Sequence, residues 1–291
     1  MEDAPKFTAM FIDEHHDKLS CPPDREAVWK RLARWASDQE IPLYLLSATA
    51  PPTLQQKLLD PYCLKPEITA FIRSPTNRQE IGLHTVSTRG ETGLRSLVHA
   101  LAKRLMERER MLIFFNSCGE AERFSAANQC PVFHSKLPQG QHGKEFNMQL
   151  WESGVSKMMA CTSAFGAGVD KPNVRFVVIH SPKYSLMSVL QAAGRAGRDG
   201  TESHVFFTTT GKADPSSSSH CTEVDMRWQL DQLLYGDRCK VYQAMKYMDG
   251  EALARECRQI PNQVHCDVCS PDGEVHKFAQ QAANGLATER T

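Results

Sequence analysis

Three groups of residues in this 291-residue chain have types and spacings suited to phosphate or metal chemistry. Near the start, "MFIDEHHD" runs from Met10 to Asp17, an apolar, strand-like stretch ending in two carboxylates and two imidazoles. An acidic pair at the carboxyl end of a buried strand can hold Mg²⁺ and align an attacking water, because both tasks need anionic oxygens near phosphates. Asp-Glu after a strand is more often just the polar start of a loop. Far downstream, "QAAGRAGRDG", Gln191 to Gly200, sets two arginines three apart among small residues. Small residues let backbone approach a ligand closely, and at helical spacing Arg195 and Arg198 share a face from which forked donors can grip phosphate. As bare composition, such a stretch usually means a solvated helix end.

The third group is Cys239, Cys257, Cys266 and Cys269, spaced C-x17-C-x8-C-x2-C. In "CDVC" two thiolates two residues apart can chelate one tetrahedral metal from a single turn. The spacing favours zinc over buried free thiols, and His265 and His276 offer substitute ligands. Of ten cysteines the other six are scattered, and "MEDAPK" lacks the apolar core of a secretory signal. Clustered thiols without a signal favour metal in a reducing compartment. No apolar run approaches a membrane span, so no membrane partner is expected. Lys plus Arg equal Asp plus Glu at 34 each, so no global field draws the chain to a polyanion and any such site must be local.

Positioning these groups falls to alternating helices and strands from about residue 90 onward. "GLRSLVHALAKRLMERER" keeps helical spacing through Leu94, Leu97, Val98, Leu101 and Leu105, and "MLIFF" follows as a buried strand. "GEAERFSAAN", "GKEFNMQLWESG" and "SLMSVLQAAGRAG" read as helices; "PVFHS", "KMMACTS", "VRFVVIHS" and "SHVFFTTT" read as strands. Such alternation predicts an α/β fold, a parallel sheet covered on both faces with ligands at the strands' carboxyl ends. Ahead of it, "FTAMFID" and "LYLLSAT" flank one amphipathic helix in "REAVWKRLARWAS", too little for a whole domain. Behind it, "KADPSSSSH" reads as a Ser-rich linker, "EVDMRWQLDQLLYG" as a helix, and the tail after Asp272 as either a short helix or disorder.

The order "FIDEHH", "LLSATAPP", "LIFFNS", "FHSKL", "ACTSAFGAGVDKPNVRFVVIH", "QAAGRAGRDG" resembles motifs II to VI of the superfamily 2 helicases, and the long "AFGAGVDKPNVRFVVIH" form is similar to the RecQ branch. The resemblance implies an ATP-dependent 3′ to 5′ DNA helicase acting in repair and recombination, nuclear, or nucleoid-associated in a prokaryote. Its partner would be single-stranded or partly duplex DNA. It implies that residues 1–75 are the end of a first RecA-like lobe and 76–212 a second RecA-like lobe. Residues 213–222 would be linker, 223–272 a small helical zinc-binding module and 273–291 a tail.

Carried over by position, Asp13 would hold Mg²⁺, Glu14 would orient the attacking water, and His16 closes a DExH box. Ser47 and Thr49 would link hydrolysis to movement. Gln191 would approach the ATP γ-phosphate, Arg198 would be the arginine finger and Arg195 its helper. Gly168 and Asp170 would meet the nucleotide, Asp170 at the ribose, and Ser117 and Thr162 would touch the DNA backbone. Charge spreading over the γ-phosphoryl oxygens would be met by a cation from the second lobe. In the family the four cysteines hold structural Zn²⁺, but its tight closing run is stretched here by "RQIPNQVH", which makes Cys257 the least secure ligand.

Two departures set limits on this resemblance. No Gly-rich loop ending in Gly-Lys-Ser or Gly-Lys-Thr occurs in the sequence, so the family's phosphate cradle and adenine-reading Gln are expected ahead of Met1 and ATP affinity is expected to be weak. "HDKLSCPPDREAVW" also lacks the family's aromatic-rich coupling loop. Two other readings stay open: a catalytically inactive nucleic-acid-binding remnant and a DEAH-type RNA helicase.

Overall fold

The computed structural model describes residues 7–15, 23–139, 143–166, 170–183, 185–210 and 221–286. The chain divides into two compact units, Met1–Thr76 with Met245–Leu253, and Asn77–Ala244 with Ala254–Thr291.

The first unit pairs strand β1 (Met10–Ile12) in parallel with β2 (Leu43–Leu45), joined through helix α1 (Pro23–Asp38). Parallel neighbours need a crossover of this kind because a tight turn can only reverse the chain. Ile12, Ala33 and Tyr62 form a small core with Met10, Trp29, Leu43, Leu45 and Leu64. Strand alternation sends Phe11 and Tyr44 to the other face, where their rings stack at 4.7 Å in the open. Both strands are shorter than the apolar runs that announce them. Helix α2 (Gln55–Leu59) and short 3-10 turns complete the unit up to Ile68.

The second unit runs β3 (Ile81–Ser87), α3 (Gly90–Arg104), β4 (Arg110–Phe114), α4 (Cys118–Asn128), β5 (Val132–Phe133), α5 (Lys144–Glu152), β6 (Met158–Cys161), β7 (Val174–His180), α6 (Leu186–Ala193) and β8 (Ser203–Thr209). The sheet order is β3-β8-β7-β4-β6-β5, parallel throughout. Central strands read as near-continuous Val, Ile, Met and Phe because both faces are covered. On α3, Leu94, Leu97, Val98 and Leu101 fall on one stripe and are fully buried against the sheet.

Three further helices follow, α7 (Cys221–Tyr235), α8 (Lys240–Asp249) and α9 (Glu274–Ala283). The expected linker 213–222 lies mostly outside the described residues, and its last two positions, Cys221 and Thr222, belong to α7. The tail left open between helix and disorder contains α9, because Ala279, Ala282 and Ala283 allow it to lie close on α3. A Cβ on Gly93 would stand 2.7 Å from the Ala283 carbonyl oxygen.

Strand β3 was not foreseen, since "IGLHTVS" interrupts its apolar pattern with Gly82 and His84. Both interruptions have a packing reason. His84 Nε2 lies 3.1 Å from His204 Nδ1, and a Cβ on Gly82 would meet both rings at 2.9 Å. His276 on α9 stacks over His84, and Glu202 reaches His204 Nε2 at 3.2 Å.

Burial, with His204 and His276 alongside, holds His84 well below the ordinary imidazole range. Burial also lowers His204 against the pull of Glu202, and lowers His276 against that of Asp267. Such groups fold as neutral rings, so their contribution to stability is present above the unfolded value of about 6.5 and is lost as pH falls through the folded values. Urea unfolding at pH 7.5 and 5.5 should show stability falling on acidification, and the His84→Gln variant should show a smaller fall in the same buffers.

Candidate nucleotide and metal sites

The carboxyl ends of β1 and β2 carry four of the expected residues. Asp13 and Glu14 follow β1 directly and are exposed; the Asp13 Oδ1 accepts the Glu14 amide at 2.8 Å, and Glu14 sits at φ 47°. Ser47 and Thr49 follow β2, and the Ser47 hydroxyl oxygen accepts the Thr49 amide at 3.0 Å. Between the two strand ends stands a residue that the sequence reading passed over. His15 is buried, donates its amide to the Leu46 carbonyl at 3.2 Å and brings Nδ1 to 2.9 Å from the same oxygen. It pins the acidic corner to the β2 end, in register with the Leu46 amide donating to Ile12. His16, assigned the DExH role, lies outside the described residues.

In the second unit the carboxyl ends of β4, β6 and β7 converge. Ser117, expected to touch DNA, is the N-cap of α4 and accepts the Glu120 amide at 3.3 Å. Thr162 is buried, taking its amide hydrogen bond to the Phe133 carbonyl and receiving that of Phe165. Its place is that of a strand-end cap. The residue that organises this edge is Asn116, whose Nδ2 donates to the Ser181 carbonyl at 2.9 Å and whose Oδ1 accepts the Lys183 amide at 3.2 Å. An Asn directly after "LIFF" was the available signal.

The loop after α6 differs from its sequence reading. Helix α6 stops at Ala193, so Arg195 and Arg198 do not share a helical face. Gly194 still donates to the Leu190 carbonyl, but Arg195 and Ala196 turn tighter, onto Ala192 and Ala193. Gly197 then takes φ 59° and donates to the Val174 carbonyl at 3.0 Å. A Cβ there would meet Glu80, Ser203 and Thr201 atoms at 3.0 Å, so glycine is required on conformation and on space.

Two arginines absent from the sequence reading brace this loop. Arg78 donates to the Gly197 carbonyl at 2.9 Å. Arg175, buried on β7, donates to the Ser203 hydroxyl at 2.9 Å, pairs with Asp199, and places Nε 3.3 Å from Glu109. Burial opposes ionising Asp199 more than any one partner favours it, but the Arg175 hydrogen bond, the Thr201 amide and the charge of Arg175 together hold the carboxyl below its usual value.

So braced, the loop sets Arg198 against Asp170, two residues with separate expected roles, at the γ-phosphate and at the ribose. Arg198 Nη1 lies 2.6 Å from Asp170 Oδ1. Burial raises the Cys161 thiol at the end of β6, and the charge of Arg195 acts against that rise. Gln191 sits half-buried on α6, one turn before the loop. Gly168 lies outside the described residues.

The four cysteines converge from separate elements: Cys239 ahead of α8, Cys257 in a 3-10 turn, and Cys266 and Cys269 in the knuckle before α9. All four are buried and their sulfurs lie within 4.8 Å of one another. Cys239 Sγ is 3.5 Å from Cys257 Sγ and 3.9 Å from Cys266 Sγ. Thiolates about 2.3 Å from a tetrahedral Zn²⁺ stand about 3.8 Å apart, so the donor set and spacing fit that ion. Cys257, insecure by spacing, is fully buried and takes part in the closest of these contacts, because the inserted "RQIPNQVH" loops away and returns.

Amides of Cys257 and Cys266 point at Cys239 Sγ and Cys257 Sγ at 3.3 and 3.4 Å, favouring thiolates. Hydrogen bonds from Cys239 and Cys257 draw Cys266 down, whereas burial foremost pushes Cys269 up to about 12. A cation binding here must therefore displace protons. His265 is exposed and His276 stacks on His84, so neither joins the four.

Comparison with known proteins meets this geometry from three directions. Residues 94–200 match the family described as helicase conserved C-terminal domain. The chain is 26% identical over 206 residues to the ATP-dependent helicase SGS1 of Saccharomyces cerevisiae, covering 68% of this chain and 14% of that protein. It is 32% identical over 142 residues to the ATP-dependent DNA helicase RecQ of Synechocystis, covering 49% of this chain and 24% of that protein. It thus spans less than a third of either relative. Among solved structures, S. cerevisiae Dbp5 bound to RNA and ADP BeF3 aligns over 97% of this chain and 64% of that chain with a TM-score of 0.62 at 17% identity, a likeness of fold. The chain therefore carries a match to the helicase conserved C-terminal domain over residues 94–200, is similar over part of its length to RecQ-type DNA helicases, and shares its α/β fold with a solved helicase structure.

Proposed function

We propose that this chain forms the later part of an ATP-driven 3′ to 5′ DNA translocase. In this reading the first unit is the end of one RecA-like lobe, the second unit opens with another, and residues from about 223 to 272 are a zinc-binding module. Asp13 holds Mg²⁺ and Glu14 orients the water, both exposed at a strand's carboxyl end where a nucleotide can reach them. Gln191, Arg195 and Arg198 meet the γ-phosphate, and Asp170 the ribose. Repair or recombination in the nucleus goes with this reading.

The observation that carries it is the braced loop from Gly194 to Gly200. Burying Arg175 among Glu109, Asp199 and Ser203 costs desolvation that a solvated helix end would have no reason to bear. The bracing contacts come from Arg78, Glu109, Val174 and Ser203, at the amino ends of the parallel strands, and a rigid loop that presents guanidinium groups suits charge that develops on a phosphoryl group. Since the 291 residues contain no Gly-Lys-Ser or Gly-Lys-Thr loop, they supply only part of a nucleotide pocket. That observation favours a second reading, a nucleic-acid-binding module without turnover.

Two measurements separate these readings and a third tests the metal. Joined to a segment that supplies the nucleotide loop, the chain should show DNA-stimulated ATPase, and Arg198→Ala should cut turnover by at least ~10³-fold while single-stranded DNA affinity stays within about twofold. No ATPase in that joined form supports the binding module. Single-stranded DNA should also out-compete RNA of the same length; preference for RNA favours a DEAH-type activity. Elemental analysis should find one zinc per chain, and Cys269→Ser should release it and lower the thermal midpoint.

A further inference from the structure

Strand β3 is an edge of the six-stranded sheet, and its outward backbone groups should be open. Instead Ile81, Leu83, Thr85 and Ser87 each give at least one of theirs to residues 263 to 280, the polypeptide around the cysteine clasp. The Val264 amide donates to the Gln79 carbonyl at 2.8 Å, Gln263 Nε2 to the Ile81 carbonyl at 3.1 Å, and the Asp267 amide to the Leu83 carbonyl at 3.3 Å. The Thr85 amide donates to Asp267 Oδ2 at 2.8 Å, and Ser87 exchanges two hydrogen bonds with the Gln280 side chain on α9. Main-chain and side-chain groups together imitate a seventh strand.

The imitation depends on Asp267, the residue directly after Cys266. Its partner is Lys240, the residue directly after Cys239, with Nζ 3.7 Å from Asp267 Oδ1 and 2.7 Å from the Leu233 carbonyl. Lys240 is 2% exposed. Four thiolates on one Zn²⁺ leave a net charge of −2, and Asp267 adds another negative charge beside them. A buried cation is the direct way to offset such a field, and it is tolerated only while the anions that hold it stay in place.

We infer that the clasp is the edge cap of the motor sheet: metal closes the knuckle, the Lys240–Asp267 pair balances its charge and fixes Asp267, and Asp267 with its neighbours seals β3. The inference rests on the zinc reading and goes beyond it, because it assigns the metal a task in the lobe that carries the arginine loop.

Hydrogen exchange on the whole 291-residue chain, zinc-loaded and after chelation, reads the cap directly. Chelation should speed exchange at Thr85 and Ser87 by at least tenfold while β7 amides stay protected. Asp267→Ala, which leaves all four ligands, should still bind one zinc yet exchange quickly at Thr85 even when loaded. Lys240→Met should weaken zinc about 10–100-fold in competition with a chromophoric chelator. Adding Asp267→Asn to it should restore part of that loss, since one negative charge leaves with the positive one. A purely steric role for Lys240 predicts a further loss in the double variant and overturns the charge balance. Unchanged β3 exchange on chelation, or an equal rise through every strand, overturns the cap even if zinc is bound. A chain that binds no zinc overturns the cap and the metal reading together.

Discussion

A parallel sheet imposes two obligations on the chain that forms it. Every strand leaves in the same direction, so its carboxyl ends gather on one side, and each outer strand keeps a row of unpaired backbone groups. The second unit answers both. At the carboxyl ends, Asn116 ties β4 to the β7 exit; at the amino ends, Arg78 and Arg175 hold the loop from Gly194 to Gly200 against Val174, Ser203 and Glu109. At the β3 edge, residues 263 to 280 fill the open hydrogen bonds.

These answers use buried charge, which is costly unless each charge is matched. Arg110 illustrates the rule on the amino side of β4: its guanidinium donates to the carbonyls of Glu107, Glu109, Trp151 and Glu152, closing the end of α5. Gly154 sits at φ 87° against it, where a Cβ would come within 2.5 Å of the guanidinium. Arg175 and Lys240 follow the same logic, one with two carboxylates and a hydroxyl, the other with Asp267 and a carbonyl beside the thiolates. Single-sequence reasoning sees an arginine in an apolar strand as an interruption. The folded chain shows it as a fastener for segments far apart in number.

Some features were legible because local physics suffices for them. Apolar stripes on α3 and apolar runs in β4, β6, β7 and β8 show through at periods set by helix and strand geometry. β3 hid because its Gly82 and His84 serve a histidine cluster that exists only once β8 and α9 have arrived. The local pattern carries α6 on to Gly197 although Gly194 is an ordinary helix-stop residue, and the positive φ at Gly197 is set by the crowding of Glu80, Thr201 and Ser203, which local pattern does not show. His15 went unnoticed beside His16 because only pairing of β1 with β2 gives its ring a carbonyl to meet.

Residue type and short-range period suffice for the α/β class, the helix and strand alternation, the acidic pair Asp13 and Glu14 and the choice of the four thiols. Folding is needed to see that Cys257 stands with the other three, that Arg198 meets Asp170, and that Asp267 closes the β3 edge. Each of those joins residues whose proximity is created by strand order and helix packing, which no local pattern encodes.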